Sequence, residues 1–257
     1  MKTVSSVSMG SLELAVPPGT GPLGLRALAG LVALAENAVT RLQQIRAQDR
    51  TATAAAVLGR LRGTGRGVSS SRLFDEIERA HPLEFEYPFE GSDRVGGAVW
   101  IAKDLLGGSS TTSVAKLRWD SRALDLPMHV HDHSDRFIIV VKGRGFFHVT
   151  DESAEQFTGK HVRSIPARER DVFLFTRGTV HTFSTDSEPM VLLSCQLPFL
   201  AFDDPRQYRL PRVRWTAKEY RDPYQPGIAC DAGWSILAEC PRPPSPIGLA
   251  DVLTIGP

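Results

Sequence analysis

The sequence predicts a mainly β protein: an antiparallel sandwich or barrel, with an N-terminal helical region before it and an extended C-terminal tail after it. Two observations carry this. From about residue 84 to 200, short runs rich in Val, Ile, Phe and Thr recur between Gly, Pro, Asp and Ser, which is the texture of strands and turns in an antiparallel fold. From about residue 23 to 80, apolar residues recur instead every three or four positions, the period of a helix face.

Taken in order, residues 1 to about 20 are rich in Ser, Gly and Pro and include "VPPGTGP", which predicts an irregular lead-in. Leu25, Leu28, Leu31 and Leu34, then Val39, Leu42 and Ile45, predict a helix over about 22–47. Two more follow, over about 50–62 and 70–80, with Gly63, Gly65 and Gly67 between them and Ser69 to Ser71 capping the last. The first helix has a broad apolar face and must pack on something. The predicted strands are "GGAVWIA", "TTSVAKLRW", "RFIIVVKG", "GFFHVT", "DVFLF", "TVHTFS" and "MVLLSCQL". After them, "DDPRQYRLPRVRW" and the Pro-rich "PRPPSPIGLADVLTIGP" predict a tail that wraps the surface or meets a second subunit. The expected divisions are therefore 1–82 (lead-in and helices), 83–203 (barrel) and 204–257 (extended segment).

Composition narrows the function. The 257 residues are 42% hydrophobic and 23% charged with a formal net charge of +1, a soluble globular balance. Scattered basic residues matched by acids give no footprint for nucleic acid. The glycine-rich turn between helices is too long for a helix-turn-helix, and no basic helix follows it. Cys195, Cys230 and Cys240 form neither a disulfide framework nor a paired zinc motif, which fits a reducing, cytoplasmic setting. The apolar run "LGLRALAGLVALAENAV" carries Arg26 and falls short of the roughly 20 residues that span a bilayer.

The chemistry is concentrated in "PMHVHDHSDRF". Of seven histidines, His129, His131 and His133 stand at alternate positions in five residues. On a continuing strand they would share one face, so they could supply part of a metal site, with Asp135 and the later His181 in "RGTVHTF" available to complete it. His148 and His161 have no spaced partner and read as structural.

"HVHDHSDRFIIVVKG" followed by "RDVFLFTRGTVHTF" resembles the two motifs of the cupin superfamily. In that family His-x-His, a Glu four residues on and a His from the second motif bind a divalent metal inside a double-stranded β-helix, or jelly-roll, barrel. The resemblance implies His129, His131 and His181 as ligands, with Asp135 where the family has Glu. Because Asp is shorter by one methylene, His133 or Asp132 could take its place. Gly143 fits the closing glycine of the first motif one residue late, which implies a bulge or a shifted register. In the second motif Gly178 fits, whereas Arg170, Thr176 and Thr185 replace the usual Gly, Pro and Asn.

Imidazoles with a carboxylate or water suit Fe(II), Mn(II), Ni(II), Zn(II) or Cu(II), and such sites keep positions open for water, dioxygen or substrate. If Asp135 points inward, strand parity takes Phe137, Ile139 and Val141 with it, and Phe183 accompanies His181, giving an apolar pocket around a polar centre. Lys116 and Arg118 share a face and either anchor a substrate carboxylate or lie in solvent. Cys195 reads as plain core.

The resemblance implies a metal-dependent enzyme acting on a small organic molecule, foremost a non-haem Fe(II) dioxygenase with Asp135 as ligand or general base. The alternatives are an oxygen-independent isomerase or lyase, with Asp135 or His133 as the proton-transfer group, and a non-catalytic small-molecule binding module. A homodimer is also implied, with neither nucleic acid nor membrane as partner.

Overall fold

The computed structural model describes residues 12–16, 21–48, 55–64, 70–79, 92–100, 112–201 and 204–219. Cys230, Cys240 and the Pro-rich ending lie outside them. The chain folds as a strongly curved, mostly antiparallel sheet with helices on its outer face. Its elements are β1 (Leu12–Ala15), α1 (Leu23–Gln48), β2 (Ala55–Thr64), α2 (Ser70–Arg79), β3 (Val95–Trp100), β4 (Ser113–Trp119), β5 (His129–Val130), β6 (Asp135–Val149), β7 (Arg163–Arg168), β8 (Asp171–Phe175), β9 (Val180–Ser184) and β10 (Met190–Leu197), with a short 3-10 turn at Ala217–Glu219.

The hub is β6. Its first half pairs with β8 and β10, and its second half crosses to pair with β7 and β9. The sequence suggests two strands here, "RFIIVVKG" and "GFFHVT"; the structure has one of 15 residues. A register shift opposite Val191 and Leu192 pairs Val140 and Lys142 with them and leaves Val141 as the extra residue. This is the bulge that the late Gly143 implies, and it reverses the side-chain parity. Before it, Ile138 and Val140 face the barrel interior; after it, Phe147 and Val149 do. Gly143 has φ 78°, and a Cβ there would meet the Pro189 carbonyl oxygen at 1.9 Å, so the bend requires glycine.

Two cores result. Inside the barrel, Ile138, Val140, Phe147, Phe173, Phe175, Phe183 and Leu192 pack with Trp119. On the outer face, Phe137, Ile139, Val141, Leu174, Leu193 and Cys195 pack against Leu28, Leu31, Ala35, Ala38 and Leu42 of α1 and Leu73, Phe74 and Ile77 of α2. This is the surface that the apolar face of the first helix requires; each leucine so buried contributes roughly 1.5–3 kcal/mol. Over Leu23–Gln44 the helix is long and apolar enough to span a bilayer by length and composition, which the shorter run read from the sequence missed, and half of that stretch is buried inside the protein.

The helix expected over 50–62 is instead strand β2. Its alanines favour a helix locally, but the segment pairs antiparallel with β8 and parallel with β1, and so extends the sheet. For the same reason the lead-in is not irregular throughout, since Leu12–Ala15 is a strand. The sequence also missed β7, whose Pro166 breaks the strand signal. Pro166 is tolerated because, among the described residues, β7 pairs only with β6 and lies at an edge.

Candidate metal centre

Antiparallel pairing of β5 with β9 sets His129 directly opposite His181, and His131 follows one residue beyond β5. The turn before β9 ties the two segments together: the Gly178 N–H donates to the His131 carbonyl at 2.9 Å, with Gly178 at φ 84°. Ring centroids lie 4.6 Å apart for His129 and His181, 5.1 Å for His129 and His131, and 5.3 Å for His131 and His181. One ligand atom from each falls within 4.8 Å of the others, and all three side chains are buried.

The orientation of each ring is fixed from behind. Nδ1 of His129 lies 3.0 Å from the Pro127 carbonyl oxygen, Nδ1 of His131 2.6 Å from that of Gln207, and Nδ1 of His181 2.9 Å from that of Thr179. A carbonyl only accepts, so each Nδ1 carries the proton and each Nε2 carries the lone pair. Burial also keeps the rings neutral. Desolvation pulls the His129 imidazole down to about 4 and those of His131 and His181 well below the usual histidine range, with nearby positive charge adding to the effect. Three neutral, buried imidazoles, each backed by a main-chain acceptor, fit a nitrogen-bound divalent transition metal.

The other residues singled out in the sequence do not join them. β5 ends at Val130, and the bend that follows breaks the alternation, which leaves His133 exposed. It also resets the parity of β6. Asp135 points away from the barrel interior, where its carboxylate accepts from the Arg177 N–H at 2.8 Å, Arg177 Nη2 at 2.9 Å and Gln43 Nε2 of α1 at 2.6 Å. Phe137, Ile139 and Val141 follow Asp135 to the α1 side, so the inward parity expected of this strand is reversed. Phe183 does line the cavity. Lys116 and Arg118 do not: Lys116 donates to the Glu78 carbonyl of α2, and Arg118 pairs with Asp120 at 3.0 Å. His148 is a buried bridge between Ser164 Oγ and Ser184 Oγ, at 2.7 Å from each, and His161 is exposed.

Sequence reasoning missed Arg136, which occupies the inward position given to Asp135. It is 2% exposed, and its Nη1 donates to Ser134 Oγ at 2.6 Å and its Nη2 to Gln207 Oε1 at 3.1 Å. Nη2 is also 2.8 Å from His131 Nδ1, but the shorter Gln207 contact claims the Nδ1 proton, so the ring nitrogen does not accept from the guanidinium. Burial pulls Arg136 down to about 9 while neighbouring Asp135 holds it up, so it stays cationic at neutral pH. Gln207 and Tyr208 come from the segment after β10, which crosses the barrel mouth and exchanges two main-chain hydrogen bonds at 3.0 Å between Val130 and Arg209. Arg209 pins that segment to Asp132 and Glu155. The only hint in the sequence was the polar "DDPRQYRL" itself. Beneath this strap, an empty volume of about 510 Å³ that includes open solvent is lined by the three histidines, Arg136, Ser194, Gln196, Gln207 and Tyr208 together with the apolar Leu117, Trp119, Leu126, Ile138 and Phe183.

Residues 119–195 match the family model of the cupin domain, so the barrel of this chain is a cupin barrel. No curated protein matches the sequence. Among solved structures, the chain is similar to the oxalate decarboxylase of Lactobacillus farciminis in complex with formate, with 17% identity and a TM-score of 0.36 over 46% of this chain and 32% of that one. It is also similar to a recombinant oxalate oxidase in complex with glycolate, with 14% identity and a TM-score of 0.35 over 45% and 56% of the two chains. A third is a cupin-superfamily sugar phosphate isomerase from Silicibacter pomeroyi, with 18% identity and a TM-score of 0.33 over 46% and 67%.

Proposed function

We propose that this cupin barrel holds a divalent transition metal on His129, His131 and His181, Fe(II) foremost among Fe, Mn, Ni, Zn and Cu, and serves an oxygen-dependent oxidation of a small organic molecule. The observation that carries the reading is the set of three buried imidazoles whose Nδ1 atoms each face a main-chain carbonyl, an arrangement that turns three Nε2 lone pairs inward. When bound, such a metal supplies Lewis acidity and a template for substrate and oxygen. Dioxygen is the oxidant, and its atoms leave in the product or as reduced oxygen.

The chain supplies the rest. Leu117, Trp119, Leu126, Ile138 and Phe183 form the apolar wall against which a substrate body packs and from which water is excluded. The Gln207–Tyr208 strap covers the histidines, and its main-chain carbonyl orients His131. Asp135 and His133 are outside this chemistry, because one side chain is held by Arg177 and Gln43 and the other is exposed. A cytoplasmic homodimer belongs to the same proposal, and sedimentation analysis checks the oligomeric part.

The test is elemental analysis of purified wild type and His131→Ala, with circular dichroism as the folding control and oxygen uptake followed across a small-molecule library. Near-stoichiometric metal in the wild type, its loss in the folded variant and substrate-dependent oxygen uptake support the reading. A metal-free wild type contradicts it. Turnover without oxygen uptake replaces the oxidation with an isomerase or lyase.

A further inference from the structure

Arg136 gives the cavity a charge that nothing in its wall answers. The guanidinium is buried, and its hydrogen-bonding neighbours, Ser134 and Gln207, are uncharged. Among the described residues lining the cavity none is acidic. Asp135, the carboxylate whose charge reaches Arg136, stands on the opposite side of the strand and already accepts from Arg177 and Gln43. A buried cation with no counter-charge inside its own cavity is costly, and a divalent ion on three neutral imidazoles would add two more positive charges to the same cavity. The combination is one that an anionic ligand completes.

The wall narrows the anion further. Arginine meets a planar carboxylate through paired N–H donors. Along with the guanidinium, the cavity presents Leu117, Trp119, Leu126, Ile138 and Phe183, which desolvate a hydrocarbon body rather than a polyol or a second charged group. We infer that this cavity selects small monocarboxylates with an apolar aryl or branched-alkyl body, the carboxylate held at Arg136 and the body against the Trp119–Phe183 wall. Arg136 is then the residue that decides substrate class, and it takes the part that the sequence offered to Lys116 or Arg118. The inference deepens the function proposed above and rests on it for the chemistry, while the charge of Arg136 stands without the metal.

The test measures binding by calorimetry to the full chain, both metal-loaded and chelator-stripped. The probes are benzoate, phenylacetate and 4-methylpentanoate, each beside its primary amide, and inorganic phosphate. At least one acid is expected to bind about tenfold or more tightly than its amide and more tightly than phosphate. Arg136→Gln should abolish that preference in the chelator-stripped protein as well as in the metal-loaded one, and Arg136→Lys should restore part of it. Acids binding no better than their amides in both wild-type preparations overturns the inference, and that arm needs no variant to fold. Phosphate binding more tightly than every acid also overturns it, as does an undiminished preference in Arg136→Gln. Metal content read on the same samples keeps the two claims apart. A carboxylate preference in protein that never takes up metal leaves the inference standing and removes the oxidation, whereas metal without the preference does the reverse.

Discussion

The main-chain carbonyl oxygen of Gln207 lies 2.6 Å from Nδ1 of His131, so a residue ten positions beyond the last barrel strand orients a member of the histidine cluster. The side chain of Gln207 anchors the same segment, donating to the Leu200 carbonyl at 3.2 Å and to Gln196 Oε1 at 3.4 Å while accepting from Arg136. Gln207→Ala releases these anchors without touching an imidazole. Metal affinity, measured by competition with a chromophoric chelator, should fall by about tenfold or more, as is usual when support behind a ligand is lost. An unchanged affinity would show that the strap is not part of the centre.

Gly143→Ala tests the bend in β6. The new methyl group would sit 1.9 Å from the Pro189 carbonyl oxygen on a backbone with φ 78°, and that oxygen is main chain, so it cannot swing aside. A loss of about 2 kcal/mol or more is expected, read as a lower urea midpoint with an unchanged slope. Wild-type stability would mean that the bend relaxes without cost.

Arg170 stands where the resembling family has Gly, and its backbone pays for it: φ is 73°, a conformation that costs a side-chain-bearing residue about 1 kcal/mol. Its side chain reaches Ser71 Oγ at 2.9 Å and lies over the Phe74 ring at 5.3 Å, which ties the barrel to α2. Arg170→Ala loses these contacts and keeps the strain, whereas Arg170→Gly loses both. Denaturation should therefore find the glycine variant more stable than the alanine variant by about 1 kcal/mol. Equal stabilities would contradict a strained backbone here.

Acid should destabilise the metal-free protein. Burial pulls His129 down to about 4 and His148 to about 3, whereas an unfolded imidazole titrates near 6.5. Between those limits the unfolded chain binds protons that the folded chain refuses. The stability is thus fully present above about pH 6.5 and is lost as pH falls toward 3. The urea midpoint of chelator-treated protein should drop between pH 7 and pH 4.5, and His148→Gln should shrink the drop. A midpoint that stays level over this range would contradict neutral buried histidines.

These residues also show where the sequence was legible. The cupin motifs picked out His129, His131 and His181, and the one-residue delay before Gly143 announced the bulge, because both are encoded in spacing. What failed was the extrapolation of parity through 131–134. Alternation carries information only while a strand continues, and β5 stops at Val130, so Asp135, Phe137 and Ile139 were turned inward when they face α1 and Arg136 does not. β2 was hidden by an alanine-rich composition that its sheet partners override. The strap could not be foreseen, because Gln207 reaches the site through a carbonyl that every residue possesses.

The most direct measurement is an anomalous-difference map from crystals of the full chain grown with its native metal retained, collected at the absorption edge of the metal found by elemental analysis. The account predicts a single strong peak about 2.0–2.2 Å from Nε2 of His129, His131 and His181, with Asp135 still bound to Arg177. A map with no peak among the three rings, or with the metal held by Asp135 or His133 instead, would contradict it.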